Sequence, residues 1–168
     1  MRPFLTLAVL FVVASSLFAV GPQTLGSVRA ESGYDHRDLA VTVLVGPVQQ
    51  GMIWMNAKYS YPFLFSERDK LVNLVQTAAK KIDIAIANKT TISYTQKIGR
   101  FYTENGALVT VSFDTDGYGL SYAAVEIMGA GNSDILLLNQ KATEDFISLL
   151  RSAKNLADDY QQQVALFK

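Results

Sequence analysis

Residues 91–128 read TISYTQKIGRFYTENGALVTVSFDTDGYGLSYAAVEIM, and this stretch decides the fold class. It contains three runs rich in β-branched and aromatic residues, in which apolar and polar positions alternate as they do in strands with one buried face. The runs are separated by Asn105-Gly106 and Asp116-Gly117, residue pairs that tolerate the positive φ angles of tight hairpin turns. The stretch therefore predicts three consecutive antiparallel strands at residues 91–103, 107–115 and 118–128.

The chain on either side of this meander predicts further strands and two helices. Ser66 and Asp69 resemble a capping box ahead of apolar residues at helical spacing, which predicts a helix over residues 67–87. Asn139 suits a helix N-cap, and the apolar stripe after it predicts a second helix that fades near Tyr160. Apolar runs at residues 39–45, 52–65 and 135–138 predict three more strands.

Together these elements predict an α+β domain. We expect an antiparallel sheet of about five to six strands, with two amphipathic helices packed on one face and the order ββα-ββββα. The chain has 168 residues, of which 49% are apolar, so it is long enough for one domain with a buried core.

Composition excludes several classes of function. The formal charge is zero, which argues against a general nucleic-acid binder. The chain has no cysteine, and His36 is its one histidine, so it cannot build thiol catalysis, cysteine zinc sites or multi-histidine metal sites by itself. We therefore expect no metal and no cofactor.

The N-terminus has the three parts of a secretory signal peptide. Arg2 precedes an uncharged apolar run of 17 residues at 4–20, and the small residues Val28 and Ala30 suit a cleavage site. We predict a cleaved signal peptide at residues 1–30, a flexible leader at 31–38 and a single domain at 39–168, with a mature charge of −2 because cleavage removes two arginines and no acid. The alternative is an uncleaved membrane anchor, since the run lies at the bottom of the spanning range.

Export predicts a periplasmic or extracellular protein. The absence of cysteine favours a bacterial source, because eukaryotic secreted domains commonly carry disulfides. Contact with the membrane is expected only through the N-terminal segment, if that segment stays uncleaved.

A candidate binding site follows from the predicted hairpins. If both turns have two residues, Arg100 faces Val111 and Val111 faces Tyr122, and these residues share the face that the helices should cover with Gln96 and Tyr102. A buried guanidinium needs a partner, so Arg100 could reach toward the Tyr122 hydroxyl, with a ligand anion or a carboxylate completing the site. The alternative is that Arg100 extends past the helix edge into solvent.

The opposite face carries a candidate interaction patch, which consists of Phe101, Leu108, Val125 and Ile127. Such a patch is covered by the N-terminal strands, buried in an oligomer or left as a binding surface.

No pattern in the chain identifies catalytic residues. The chain has no G-x-S-x-G motif, so His36 has no candidate nucleophilic serine for which it could act as the base. The leading hypothesis is an exported, non-enzymatic binding domain that acts through its sheet on a protein, a peptide or a small molecule. One alternative is a carboxylate-based hydrolase of an envelope glycan, which would use two acids of the set Glu104, Asp114, Asp116 and Glu126. A homo-oligomer joined through the sheet is another.

Overall fold

The computed structural model describes residues 23–45 and 52–166, which form two four-strand units, each followed by a helix. The first unit comprises β1 (Gln23–Ser32), β2 (Asp38–Val45), β3 (Met52–Asn56), β4 (Ser60–Leu64) and α1 (Phe65–Ala87). The second comprises β5 (Ser93–Tyr102), β6 (Leu108–Asp116), β7 (Ser121–Met128), β8 (Ser133–Leu138) and α2 (Gln140–Ala165).

The predicted fold class is confirmed in its coarse form, an α+β domain with one antiparallel sheet and two helices. The predicted strand number and order are wrong, because the sheet has eight strands and the order is ββββα-ββββα. One missed strand arises because the expected single strand at 52–65 folds back as a hairpin, closed by a hydrogen bond of 2.8 Å from the Ala57 amide to the Tyr59 carbonyl. The turn residues Ala57, Lys58 and Tyr59 include no glycine or proline, so the sequence carries no turn signal there.

The other missed strand is β1, which overlaps the predicted signal peptide and leader. Val28 and Ala30 are 4% and 5% exposed in the core, on both sides of Arg29. The predicted leader at 31–38 comprises the end of β1, the β1–β2 turn and the first residue of β2. The apolar run at 4–20 lies outside the described residues, and cleavage after Ala30 stays a prediction. Such a cleavage would remove most of β1.

The strands lie in the order β4-β3-β2-β1-β8-β7-β6-β5, so each unit forms a four-strand meander. The two meanders join where β1 meets β8, through the pairs Glu31–Leu137 and Ser32–Leu136. β1 also pairs with β2 from Gln23 to Glu31. The continuity of the sheet therefore depends on β1.

The sheet curls around the helices. The Tyr59 amide donates a hydrogen bond of 3.0 Å to the buried Asp134 carboxylate of β8, although β4 and β8 are four strands apart and would be separated by roughly 19 Å in a flat sheet. At the start of α1, the Glu67 carboxylate accepts hydrogen bonds from the Leu64 amide at 2.7 Å and the Glu104 amide at 2.5 Å. Leu64 ends β4 and Glu104 follows β5, so this side chain joins the two edges of the sheet.

Both helices pack on the inner, concave face and on each other. The core consists of apolar side chains from this face and from both helices, among them Val43, Ile53, Phe63, Leu71, Val75, Val111, Val125, Leu136, Phe146 and Leu150. The N-cap of α2 is Asn139, as predicted, and its side chain accepts from the Ala142 amide at 3.0 Å. Leu64 takes the N-cap position of α1 in place of the predicted Ser66, and α2 extends past Tyr160 to Ala165.

Candidate functional site: the open face of the sheet

The helices leave one face of the sheet uncovered along the described residues, and we call it the open face. Burial alternates along β6, where Val109, Val111 and Phe113 are buried beneath the helices while Leu108 and Thr110 are partly exposed. The outward-facing side chains are held by a rigid ladder of backbone hydrogen bonds, so their relative positions follow from the strand register.

The two-residue turns on which the expected faces depended do not form. Both hairpins have three-residue loops, one closed by a hydrogen bond from the Thr103 amide to the Ala107 carbonyl and the other by one from the Asp116 amide to the Leu120 carbonyl. In the first loop Gly106 alone takes a positive φ, of 80°, which is typical of a three-residue hairpin with a glycine bulge. In the second, the Asp116 carboxylate widens the turn by accepting from the Tyr118 and Leu120 amides.

The extra loop residue and a bulge at Ile98 in β5 change which side chains of β5 lie on each face of the sheet. Arg100 pairs with Thr110 and Tyr102 with Leu108, which places both side chains on the open face. Gln96, on the other side of the bulge, pairs with the buried Phe113 and so belongs to the inner face. The predicted apolar-face site around Arg100 is therefore divided between two faces.

The structure also separates Arg100 from Tyr122. Tyr122 lies on the open face, but it pairs with Asp114, whereas Arg100 pairs with Thr110. Thr110 and Asp114 are four residues apart on β6, which corresponds to about 13 Å along the strand. The structure does not bring the Arg100 guanidinium to the Tyr122 hydroxyl.

The residues of the predicted interaction patch likewise lie on different faces. Val125 and Ile127 are fully buried under the helices. Phe101 is half-buried on the inner face, with the Lys70 ammonium 6.0 Å from its ring centre. Leu108 is the member of the four that lies on the open face.

A different surface forms at the end of the sheet near the β5–β6 turn. Here Tyr102, Leu108 and Met128 stand side by side on three adjacent strands, because Leu108 pairs with both of its neighbours. Tyr102 is 67% exposed and Met128 is 40% exposed. Next to this apolar row runs a polar row formed by Arg100, Thr110 and Glu126. We call these six residues the β5–β7 patch.

Tyr34 extends the apolar row beyond β7. This exposed side chain, in the β1–β2 turn, hydrogen bonds through its hydroxyl to Ser133, and Ser133 pairs with Met128. Of the residues of the β5–β7 patch, the sequence indicated Arg100, Tyr102 and Leu108 as binding or interaction candidates and Glu126 as a hydrolase carboxylate, but it did not indicate Thr110 or Met128. A three-residue loop ending at Gly106 is the signal that would have placed Arg100 beside Thr110 and Tyr102 beside Leu108.

The two charges of the β5–β7 patch are unpaired within the described part of the chain. The ion pairs of the described residues are His36–Glu31, Arg37–Asp35, Arg68–Asp69 and Lys141–Asp145, and none of them includes Arg100 or Glu126. Thr110 lies between Arg100 and Glu126, and two strand spacings separate their backbones by roughly 10 Å. Both charges are therefore available to a partner.

A second polar cluster lies farther along the open face, around Asp114 and Tyr122. Burial raises the pKa of Asp114, although hydrogen bonding from Thr95 and Ser112 acts in the opposite direction. Burial also raises the pKa of the Tyr122 phenol, and the negative charges of Glu31 and Asp116 add to this effect. Asp114 can thus hold a proton at a higher pH than an ordinary aspartate.

We expect Asp114→Asn to stabilise the protein at pH 7. The raised pKa means that the folded state binds the proton more tightly than the unfolded state, so stability falls as pH rises from the usual value of 3.8 through the raised value. Asparagine removes the cost of the buried charge, and its advantage in melting temperature should disappear below that window. Melting curves from pH 3 to pH 8 measure the difference, with Asp38→Asn as the control on an exposed aspartate. A variant less stable than wild type at pH 7 would contradict the assignment.

The remaining surfaces are weaker candidates for a functional site. A groove of about 300 Å³ between α1 and α2 is open to solvent and lined by charges of both signs, including Lys80, Asp83, Glu144 and Arg151. Across residues 23–45 and 52–166, no group of three or more histidine, aspartate or glutamate side chains could hold a metal ion. Neither α1 nor α2, as far as the structure describes them, is long and apolar enough to cross a membrane.

Comparisons of the chain with protein-family models, with curated proteins and with solved structures find no match. The geometry of the open face is therefore the basis for assigning a function.

Proposed function

We propose that this protein is an exported, non-enzymatic interaction module that binds a partner protein through the β5–β7 patch. The observation that carries the proposal is an exposed apolar row across three strands, flanked by an arginine and a glutamate that make no ion pair within the described chain. Tyrosine, methionine and arginine are enriched at protein interfaces and frequently dominate their binding energy.

The strands support this function by holding the patch in place. Tyr102, Leu108 and Met128 are anchored on paired strands, so little backbone entropy is lost when a partner orders them. An apolar row beside a charged row also matches the usual division of an interface into a dry centre and a polar rim.

A photo-crosslinking amino acid at position 102 tests the proposal in the native cell. We expect it to give a discrete cross-linked protein, and Met128→Asp should strongly reduce that product. The matched control carries the same cross-linker at position 118, because Tyr118 is 91% exposed in the turn at the opposite end of β6. The proposal fails if position 102 yields no product beyond those obtained from position 118.

A carboxylate-based hydrolase of an envelope glycan is the second candidate, and Asp114 is the observation in its favour. A carboxyl group with a raised pKa suits a general acid, and Glu31 on the far side of Tyr122 supplies another carboxylate. Wild-type protein would then hydrolyse glycan polymers, and Asp114→Asn would abolish the activity without loss of fold. Absence of hydrolysis by the wild type across such polymers excludes this candidate.

A further inference from the structure

We propose that the partner of the β5–β7 patch is a second copy of this chain, related to the first by a two-fold axis that runs along β6. This inference rests on the proposed function, since it names the occupant of the same surface. It goes beyond that function by specifying which residues meet across the interface.

The register makes the patch symmetric about β6. In the apolar row Leu108 lies between Tyr102 on β5 and Met128 on β7, and in the polar row Thr110 lies between Arg100 and Glu126. A two-fold axis lying in the interface along β6 brings β5 of one copy over β7 of the other. Arg100 then faces Glu126 of the other copy, and Tyr102 faces Met128.

Each of these contacts is favourable, and each occurs twice. Arg100 and Glu126 make no ion pair within the described chain, so the two-fold arrangement pairs both charges without breaking an existing contact. The Tyr102 ring and the Met128 thioether form the kind of aromatic–sulfur contact that stabilises apolar interfaces. Self-complementarity of this kind is what an isologous dimer requires, and it selects a second copy over an unrelated protein.

The shape of the sheet and the position of Asp114 limit the contact to this end of the open face. Because the sheet curls around the helices, the open face is convex, and two convex faces separate away from their point of contact. Asp114 also lies on β6, four residues and about 13 Å beyond Thr110, so the same axis places the two Asp114 carboxylates opposite each other, and repulsion between these like charges opposes contact at that end. The buried area is therefore small, and we expect a reversible dimer whose population depends on protein concentration.

Charge reversal tests the two-fold geometry. Arg100→Glu places two glutamates in each patch, and Glu126→Arg places two arginines there, so each variant alone should dimerise about tenfold or more weakly than wild type. An equimolar mixture of the two variants should form a heterodimer, because every position then faces its opposite charge. Sedimentation velocity over a concentration series measures all three samples. Lys80→Glu, in the solvent-exposed groove between α1 and α2 and away from the open face, is the control for charge reversal and should dimerise like wild type.

The outcomes separate this inference from the proposed function. If the wild type stays monomeric while position 102 cross-links to a different protein, the second-copy inference is overturned and the interaction module stands. If the wild type dimerises but the mixed variants do not recover the dimer, the two-fold arrangement is overturned. If the wild type is monomeric and position 102 gives no specific product, both proposals fail.

Discussion

A chain that begins at Glu31 is expected to lose the cooperative fold. Such a chain lacks all but one of the positions through which β1 pairs with β2, and it lacks Val28 and Ala30 from the core. It also leaves the short β1–β8 junction with little strand to support it. The lost packing and hydrogen bonding are comparable with the net stability of a whole domain, about 5–15 kcal/mol.

Chains that start at Gln23 and at Glu31 provide the comparison, because they differ by eight residues of β1. The longer chain should show a cooperative thermal transition and dispersed amide resonances, and the shorter one should show neither. Equal melting temperatures for the two chains would mean that β1 is dispensable.

The need for β1 in the fold constrains where the N-terminal segment can be cleaved. Cleavage after Ala30 would produce the shorter chain, so an exported protein with the fold described above must be cut before β1 or left uncut. If the protein is exported, N-terminal sequencing of the exported form should therefore find a start at or before Gln23. A start at Glu31 in a stably folded product would contradict the role of β1.

Glu67→Ala is expected to destabilise the protein by about 2–4 kcal/mol, because two amides lose a charged acceptor. The buried carboxylate accepts from Leu64 at the end of β4 and from Glu104 after β5. Its removal leaves both amides without their hydrogen bonds and releases the link between the two edges of the sheet. Urea unfolding measures the loss in the free energy of unfolding.

Glu67→Gln is the matched control, since its amide oxygen can still accept hydrogen bonds but carries no charge. It should cost less than the alanine variant. Hydrogen exchange at the Leu64 and Glu104 amides should accelerate in the alanine variant before global unfolding. An alanine variant as stable as wild type would show that this carboxylate does not hold the edges together.

The residues that sequence reasoning placed correctly are those with local physical signals. Helical spacing of apolar residues predicted α1 to within about two residues at its start, and Asn139 was correctly identified as the cap of α2. Alternation of apolar and polar residues predicted β5, β6 and β7. Each of these signals comes from residues close together in the chain, where the spacing of apolar side chains by itself favours a helix or a strand.

Loop length was the point at which local reasoning failed. Asn105-Gly106 fits both a two-residue and a three-residue hairpin, and the choice between them moves every side chain of the next strand to the other face. The bulge at Ile98 adds a second inversion within β5. For these reasons the predicted site combined Gln96 with Arg100, which the structure places on opposite faces.

The sequence by itself determined that the chain forms an antiparallel α+β domain and that cysteine and multi-histidine chemistry are absent from it, because these follow from composition and local periodicity. Only the tertiary structure decided that β1 belongs to the sheet, that the sheet curls until Glu67 joins its edges, and that Arg100 and Glu126 lie symmetrically about β6. These features depend on contacts between residues far apart in the chain. Their formation is governed by burial and register across the whole sheet, which no local pattern encodes.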